Sequence, residues 1–205
     1  MEANSDCISM LDALKERNIP SVYEGDINLF ESAESAQFAD FLYALSQPAS
    51  IPVLKKALFS DFFRFSAEDI ISIEKDNSIE RVITLFSHWS AKTAAGHLYE
   101  VFDAVFYSEN PFAGLAEINQ SDKVPYIARK LIEPGGERKV SNILQMAELL
   151  TVKNIQEKEN AAGLLRYLIS VIEGSQQSDQ KNIALAHGRA CVKVMTIHKS
   201  KGLEF

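Results

Sequence analysis

Cysteine is scarce, with only Cys7 and Cys191 in 205 residues, near opposite ends of the chain. Two isolated thiols make neither a disulfide framework nor a Cys-x-x-Cys metal pair, so a reduced, cytosolic compartment is expected. Positive charge is also in deficit: 21 basic against 28 acidic side chains give a formal charge of -7. That balance excludes a generally basic coat, and any nucleic-acid contact has to be local. Apolar runs extend only a few residues, far short of the roughly 20 that a membrane span needs. No charged-then-apolar leader opens the chain; Met1-Glu2-Ala3-Asn4 leads at once into mixed polar residues. No Gly-x-x-x-x-Gly-Lys-[Ser/Thr] occurs, so no segment reads as a triphosphate cradle. Internal repeats and long charge blocks are missing as well. What is present is ordinary globular material, 46% apolar and 24% charged, enough for one large domain or two small ones.

Helical periodicity dominates. Residues 6–18 carry Ile8, Leu11 and Leu14 on one stripe and end at Asn18-Ile19-Pro20. Ser21-Val22-Tyr23 is a candidate short strand, closed by Glu24-Gly25-Asp26. Phe38, Phe41, Leu42 and Leu45 then repeat at helical spacing up to Pro48. Pro52 suits the first turn of the next helix, which carries Val53, Leu54, Ala57 and Leu58. Ser66-Ala67-Glu68-Asp69 reads as a helix start, with a hydroxyl cap and acidic residues at the positive end of the dipole. Further stripes are Leu98, Val101, Phe102, Val105 and Phe106; then Ile143, Leu144, Ala147 and Leu150; then Leu164, Leu165, Leu168, Ile169 and Ile172. Gly174 stops the last helix, and residues 174–180 read as a polar linker. Cys191–Ile197 alternates and is rich in β-branched residues, which is a strand pattern. Strand signals thus lie near the two ends with helix between them. The economical arrangement is one α/β unit formed by both ends, with the helical stretch inserted in it.

Chemistry concentrates at the far end. Thr196-Ile197-His198-Lys199-Ser200-Lys201-Gly202-Leu203-Glu204-Phe205 follows the second strand with two hydroxyls, two lysines, a histidine, a glycine and a carboxylate. Loops after the carboxyl ends of parallel strands are where α/β folds bind ligands. Hydroxyls and backbone N–H groups hold phosphates, and lysines add salt-dependent attraction. His198 can bond a phosphate or stack on a base, Gly202 lets the backbone approach a ligand, and Glu204 suits a ribose hydroxyl. From the residues alone, a solvated strand-to-helix turn is an equal reading.

The string Thr-x-His-x-x-Lys-Gly-Leu-Glu-Phe at 196–205 resembles motif V of the UvrD/RecB-type superfamily 1 DNA helicases. Residues 25–34, Gly-Asp-Ile-Asn-Leu-Phe-Glu-Ser-Ala-Glu, resemble the segment that follows motif IV in that family. Gly136-Glu137-Arg138-Lys139-Val140-Ser141-Asn142-Ile143-Leu144, with Ala147-Glu148-Leu149-Leu150, is similar to the RecB branch, the β subunits of exodeoxyribonuclease V. The resemblance implies a mainly α fold: a helical, 2B-like insertion within a partial RecA-like α/β subdomain of the 2A type. Its implied boundaries are 1–65 for the first 2A part, 66–188 for the insertion, and 189–205 for the return strand and motif V.

By the same resemblance Thr196, His198 and Lys199 contact single-stranded DNA. Gly202 and Glu204 serve the nucleotide, Glu204 at the ATP ribose, while Lys201 and Gly202 shape the loop. ATP and Mg²⁺ belong to the parent enzyme, and no bound cofactor is expected here, because the triphosphate loop and the acidic Mg²⁺ box are missing. The final arginine motif and a nuclease domain are missing too. The chain therefore reads as a fragment without ATPase or nuclease activity of its own. Its implied parent is an ATP-dependent helicase and exonuclease of double-strand-break repair and recombination. Implied partners are a DNA duplex end, its single strand, and RecC-like and RecD-like subunits, with no membrane. An AddA-type or UvrD-type parent, or a non-catalytic helical module docking partner subunits, are the alternatives.

Other residues favour structural roles. The pair His88-Trp89 and the lone His97 sit in helical stretches as ordinary packing or surface groups. His187 and Cys191 are too few for a closed metal site. Phe59, Phe62, Phe63 and Phe65 around Arg64 read as core or subdomain interface ahead of a base-stacking platform. Glu31 and Glu34 read as helix-dipole partners ahead of a catalytic pair. Arg138 and Lys139 stand between a phosphate contact and a solvated helix start.

Overall fold

A computed structural model describes residues 10, 13–14, 17, 19, 21–23, 29–75, 77–112, 124–173 and 192–194. The chain divides into two compact units, residues 1–28 with 178–205, and Leu29–Gln177. In the first unit β1, Ser21–Tyr23, pairs in parallel with β2, Val192–Val194. The two ends do share one sheet, as the terminal strand signals suggest. The stripe expected over 6–18 lies largely outside the described residues, as does the linker at 174–180.

The second unit is helical. After a 3-10 turn at Leu29–Glu31 come α1 (Ala33–Ser46), α2 (Ile51–Phe59), α3 (Ala67–Lys75) and α4 (Ile79–Ala94). They are followed by α5 (Leu98–Phe106), α6 (Tyr126–Leu131), α7 (Gly136–Glu157) and α8 (Ala161–Ile172). No helix among the described residues is long and apolar enough to cross a membrane.

Helix α1 is the hub, packing against α2, α4, α7 and α8. Its Phe38, Phe41, Leu42 and Leu45 are all at most 1% exposed, so the expected stripe is the core itself. Pro52 stands in the first turn of α2, where its missing N–H leaves no partner wanting. The start of α3 is a reciprocal cap: Asp69 N–H donates to Ser66 Oγ at 3.1 Å and Ser66 N–H to Asp69 Oδ2 at 2.8 Å. Gly136 lies against the Lys130 carbonyl with no room for a side-chain carbon, which lets α7 begin directly on the end of α6.

One expectation differs from the structure. Leu144, Ile169 and Ile172, placed on buried stripes, are 38%, 39% and 36% exposed. Each helical residue advances by about 100°, so Leu144 and Ile169 swing past the arcs held by their buried neighbours Ile143 and Leu168. The compact helical unit begins at Leu29 and includes α1 and α2. The reason is the core: rings from residues 38 to 126 interlock, and Phe38 and Phe41 are among them.

Candidate nucleic-acid and nucleotide site

The motif follows β2, so its geometry begins with that strand. Register is Ser21 with Val192, Val22 with Lys193 and Tyr23 with Val194. The carboxyl ends of the two strands are therefore level, and the chain leaves both at one edge of the pair. That edge is the ligand-binding edge of parallel α/β sheets. Thr196, His198, Lys199, Lys201, Gly202 and Glu204 lie outside the described residues.

Other candidates fall within the helical unit. Phe62, Phe63 and Phe65 are 3%, 1% and 3% exposed, in ring contact with Phe38, Phe41, Phe86, Trp89 and Phe112. No face of these rings is left for a base, and the core reading holds. Phe59 differs, with half its surface in solvent. Arg64 sits exposed between the buried rings with φ 56. The turn is fixed there because Arg64 N–H donates to Ser60 O at 2.8 Å and Asn110 Nδ2 to Phe63 O at 3.3 Å. Trp89 is buried beside an exposed His88.

His97 is exposed, with Nδ1 3.2 Å from Glu100 Oε1. Glu100 also receives Lys92 Nζ and, at 3.1 Å, the Tyr99 hydroxyl. The Lys92 hydrogen bond, followed by that of Tyr99, holds the Glu100 carboxyl below its ordinary range. The same carboxylate pushes the Tyr99 phenol up. Glu34 ties α1 to α7 by accepting from Asn142 Nδ2 at 3.3 Å, and the Glu31 side chain lies outside the described ones. His187 and Cys191 likewise lie outside the described residues. Among the described residues no group of three His, Cys, Asp or Glu gathers around a point.

Sequence reasoning missed a buried charge network. Lys130, 4% exposed, pairs with Asp61 and, at 2.6 Å, with Glu133. Glu133 also meets Lys139 at 3.1 Å, so Lys139 is committed within the fold while Arg138 stays exposed. The Lys130 hydrogen bond holds the Glu133 carboxyl down, and Glu133 pushes the Lys139 ammonium up. Arg129 donates to Asp61 O at 2.9 Å and lies over the Tyr126 ring. Burial, then the Asp61 charge, raises the Tyr126 phenol far above its ordinary value. The signal available in sequence was weak: Tyr126-Ile127-Ala128-Arg129-Lys130-Leu131 is too short to show a period.

The profile of the UvrD-like helicase C-terminal domain family matches residues 1–205. The chain belongs to that family. This UvrD-like C-terminal domain is similar to the "RecBCD enzyme subunit RecB" of Mycobacterium tuberculosis, with 26% identity over 205 residues. It is similar also to the Escherichia coli protein of the same name, with 27% identity over 210 residues. The alignments cover all of the domain and 17% and 16% of those relatives. An ATP-dependent helicase/nuclease protein of Leuconostoc mesenteroides is 23% identical over 220 residues, covering 99% of the domain and 16% of the relative. The domain thus spans about a sixth of the length of the curated relatives it matches.

Proposed function

We propose that this UvrD-like C-terminal domain works within a RecB-type ATP-dependent DNA helicase of double-strand-break repair and recombination, in the cytoplasm. The unit made of the two chain ends is the RecA-like part, and the helical unit is the 2B-like insertion that orients duplex DNA. The observation that carries the reading is the parallel β1–β2 pair, whose level carboxyl ends precede the motif at 196–205. The full-length family match supports it.

In this reading Thr196, His198 and Lys199 grip the phosphates of single-stranded DNA. Gly202 and Glu204 face the nucleotide, with Glu204 accepting from the ribose. One loop touching both ligands makes grip on DNA depend on nucleotide state, which is the elementary step of a translocating motor. ATP is the substrate, and Mg²⁺ accompanies it. Since the chain has no triphosphate loop, residues elsewhere in the parent supply the phosphate and metal contacts, and this chain by itself hydrolyses no ATP. RecC-like and RecD-like chains are the proposed partners, and nuclease activity, where present, resides in the parent. The likeness to the Leuconostoc helicase/nuclease favours an AddA-type parent as the second reading.

The deciding experiment uses the intact parent. Thr196→Ala or His198→Ala is expected to weaken single-strand binding and to lower the slope of log K against log salt by about one unit. Glu204→Ala is expected to raise the ATP concentration needed for half-maximal turnover. Unchanged salt slope and translocation in the first pair would remove the DNA role, and an unchanged ATP requirement would remove the ribose role.

A further inference from the structure

Helix α5 starts without a cap of its own, since His97 at its N-cap position makes no side-chain hydrogen bond to the helix. Its first amide, Leu98 N–H, is nevertheless satisfied, by Asn154 Oδ1 at 3.2 Å from the last turns of α7. The same side chain uses Nδ2 twice, donating to Thr93 O at 2.8 Å and to Glu159 O at 2.7 Å. Asn154 is 1% exposed, so water does not substitute for any of the three. Thr93 O lies at the end of α4 and also accepts Gly96 N–H at 3.1 Å, where Gly96 turns the chain at φ 85. Glu159 O lies in the turn between α7 and α8, next to the α8 N-cap Asn160.

We infer that Asn154 bolts the α4–α5 corner to the α7–α8 turn, so that the two corners open together. Moving Glu159 away leaves one Nδ2 hydrogen of the buried Asn154 without its protein partner. Rotating the amide to rescue it breaks the bonds to Leu98 N–H and Thr93 O instead. An unpaired buried polar group costs more than one net hydrogen bond contributes, so partial opening is worse than concerted opening. The Lys92–Glu100 salt bridge does not replace the bolt, because it joins α4 to α5 within one corner and does not reach the α7–α8 turn. The coupling is carried by one named side chain with two discrete arrangements, bonded and released.

Amide hydrogen exchange on the full chain tests this, with Trp89 emission as the check that the core is intact. Inserting two glycines between Lys158 and Glu159, with Asn154 retained, is expected to lower protection of Leu98 N–H about tenfold or more. Undisturbed protection at Leu98 would overturn the coupling. In Asn154→Asp at neutral pH the carboxylate has no donor for either carbonyl. Protection is expected to fall together at Leu98 and at Gly163, whose N–H donates to the α8 N-cap Asn160 Oδ1 at 3.0 Å, and to recover partly as acid returns a proton to the carboxyl. A loss at one of the two sites alone would sink the proposal. Should Asn154→Asp not fold, the insertion variant decides the matter.

Discussion

Lys158 closes α7 with φ 55 and ψ 34, a left-handed conformation that costs a side-chain-bearing residue about 1–2 kcal/mol. Glycine takes it without that cost but loses about 0.5–1 kcal/mol of chain entropy on folding. Lys158→Gly should therefore stabilise the protein by about 0.5–1 kcal/mol, read from the urea midpoint. A lower midpoint would mean that the lysine side chain contributes something its exposed position does not show. Glu100 offers a second residue-scale test. Its carboxyl is depressed because Lys92 and Tyr99 donate to the charged form. A depressed carboxylate stabilises above its unfolded pKa and loses that contribution as pH falls through the folded value. Its side-chain NMR titration should have a midpoint below the ordinary 4.5, and Lys92→Met should move that midpoint upward. A wild-type midpoint at or above 4.5 would show that the Lys92 contact does not form in solution.

Among the elements, α1 packs against four others, and Phe41 is its central ring. Phe41 meets Phe62, Phe63, Phe86, Trp89 and Phe102 with centroids 6.0 to 6.2 Å apart, mostly edge-to-face. Truncation removes those contacts and leaves a cavity that five rings cannot all close. Phe41→Ala should cost about 3–5 kcal/mol in urea unfolding and shift Trp89 emission to the red. A loss below about 1 kcal/mol would mean the rings repack freely. Elements of this kind were legible in the sequence where one period ran long enough: the stripes of α1, α2 and α5, the Ser66 cap, and both strands. The motif string at 196–205 suggests chemistry only by its residue types, hydroxyls, lysines and a glycine after a β-branched strand, and it lies outside the described residues. Illegible features depend on partners distant in sequence. Asn154 falls on the apolar stripe of Ile143, Ala147 and Leu150, a visible oddity, yet its partners Thr93 and Leu98 are not local. Lys130 looked like any surface lysine, since nothing in its neighbourhood announces Asp61.

At the scale of the whole molecule, two short strands from opposite chain ends form a parallel pair, and the helical unit is carried on the connection between them. A two-stranded parallel pair is weak in isolation, because each face needs cover and each edge is left unpaired. The helical unit is different: every buried apolar side chain among the described residues falls between Phe30 and Val171. Its stability should therefore be its own. Residues 29–177 expressed alone should show one cooperative urea transition, with an m value of about 1–3 kcal/mol/M and a coincident shift of Trp89 emission. Trp89 is the sole tryptophan and lies 3% exposed among the rings, so its spectrum reports this core and nothing else. The same transition should appear in the full chain at nearly the same midpoint, because the buried apolar side chains among the described residues all stay within the excised segment. If the excised segment instead binds hydrophobic dyes and unfolds without cooperativity, the strand-bearing ends help hold the helices.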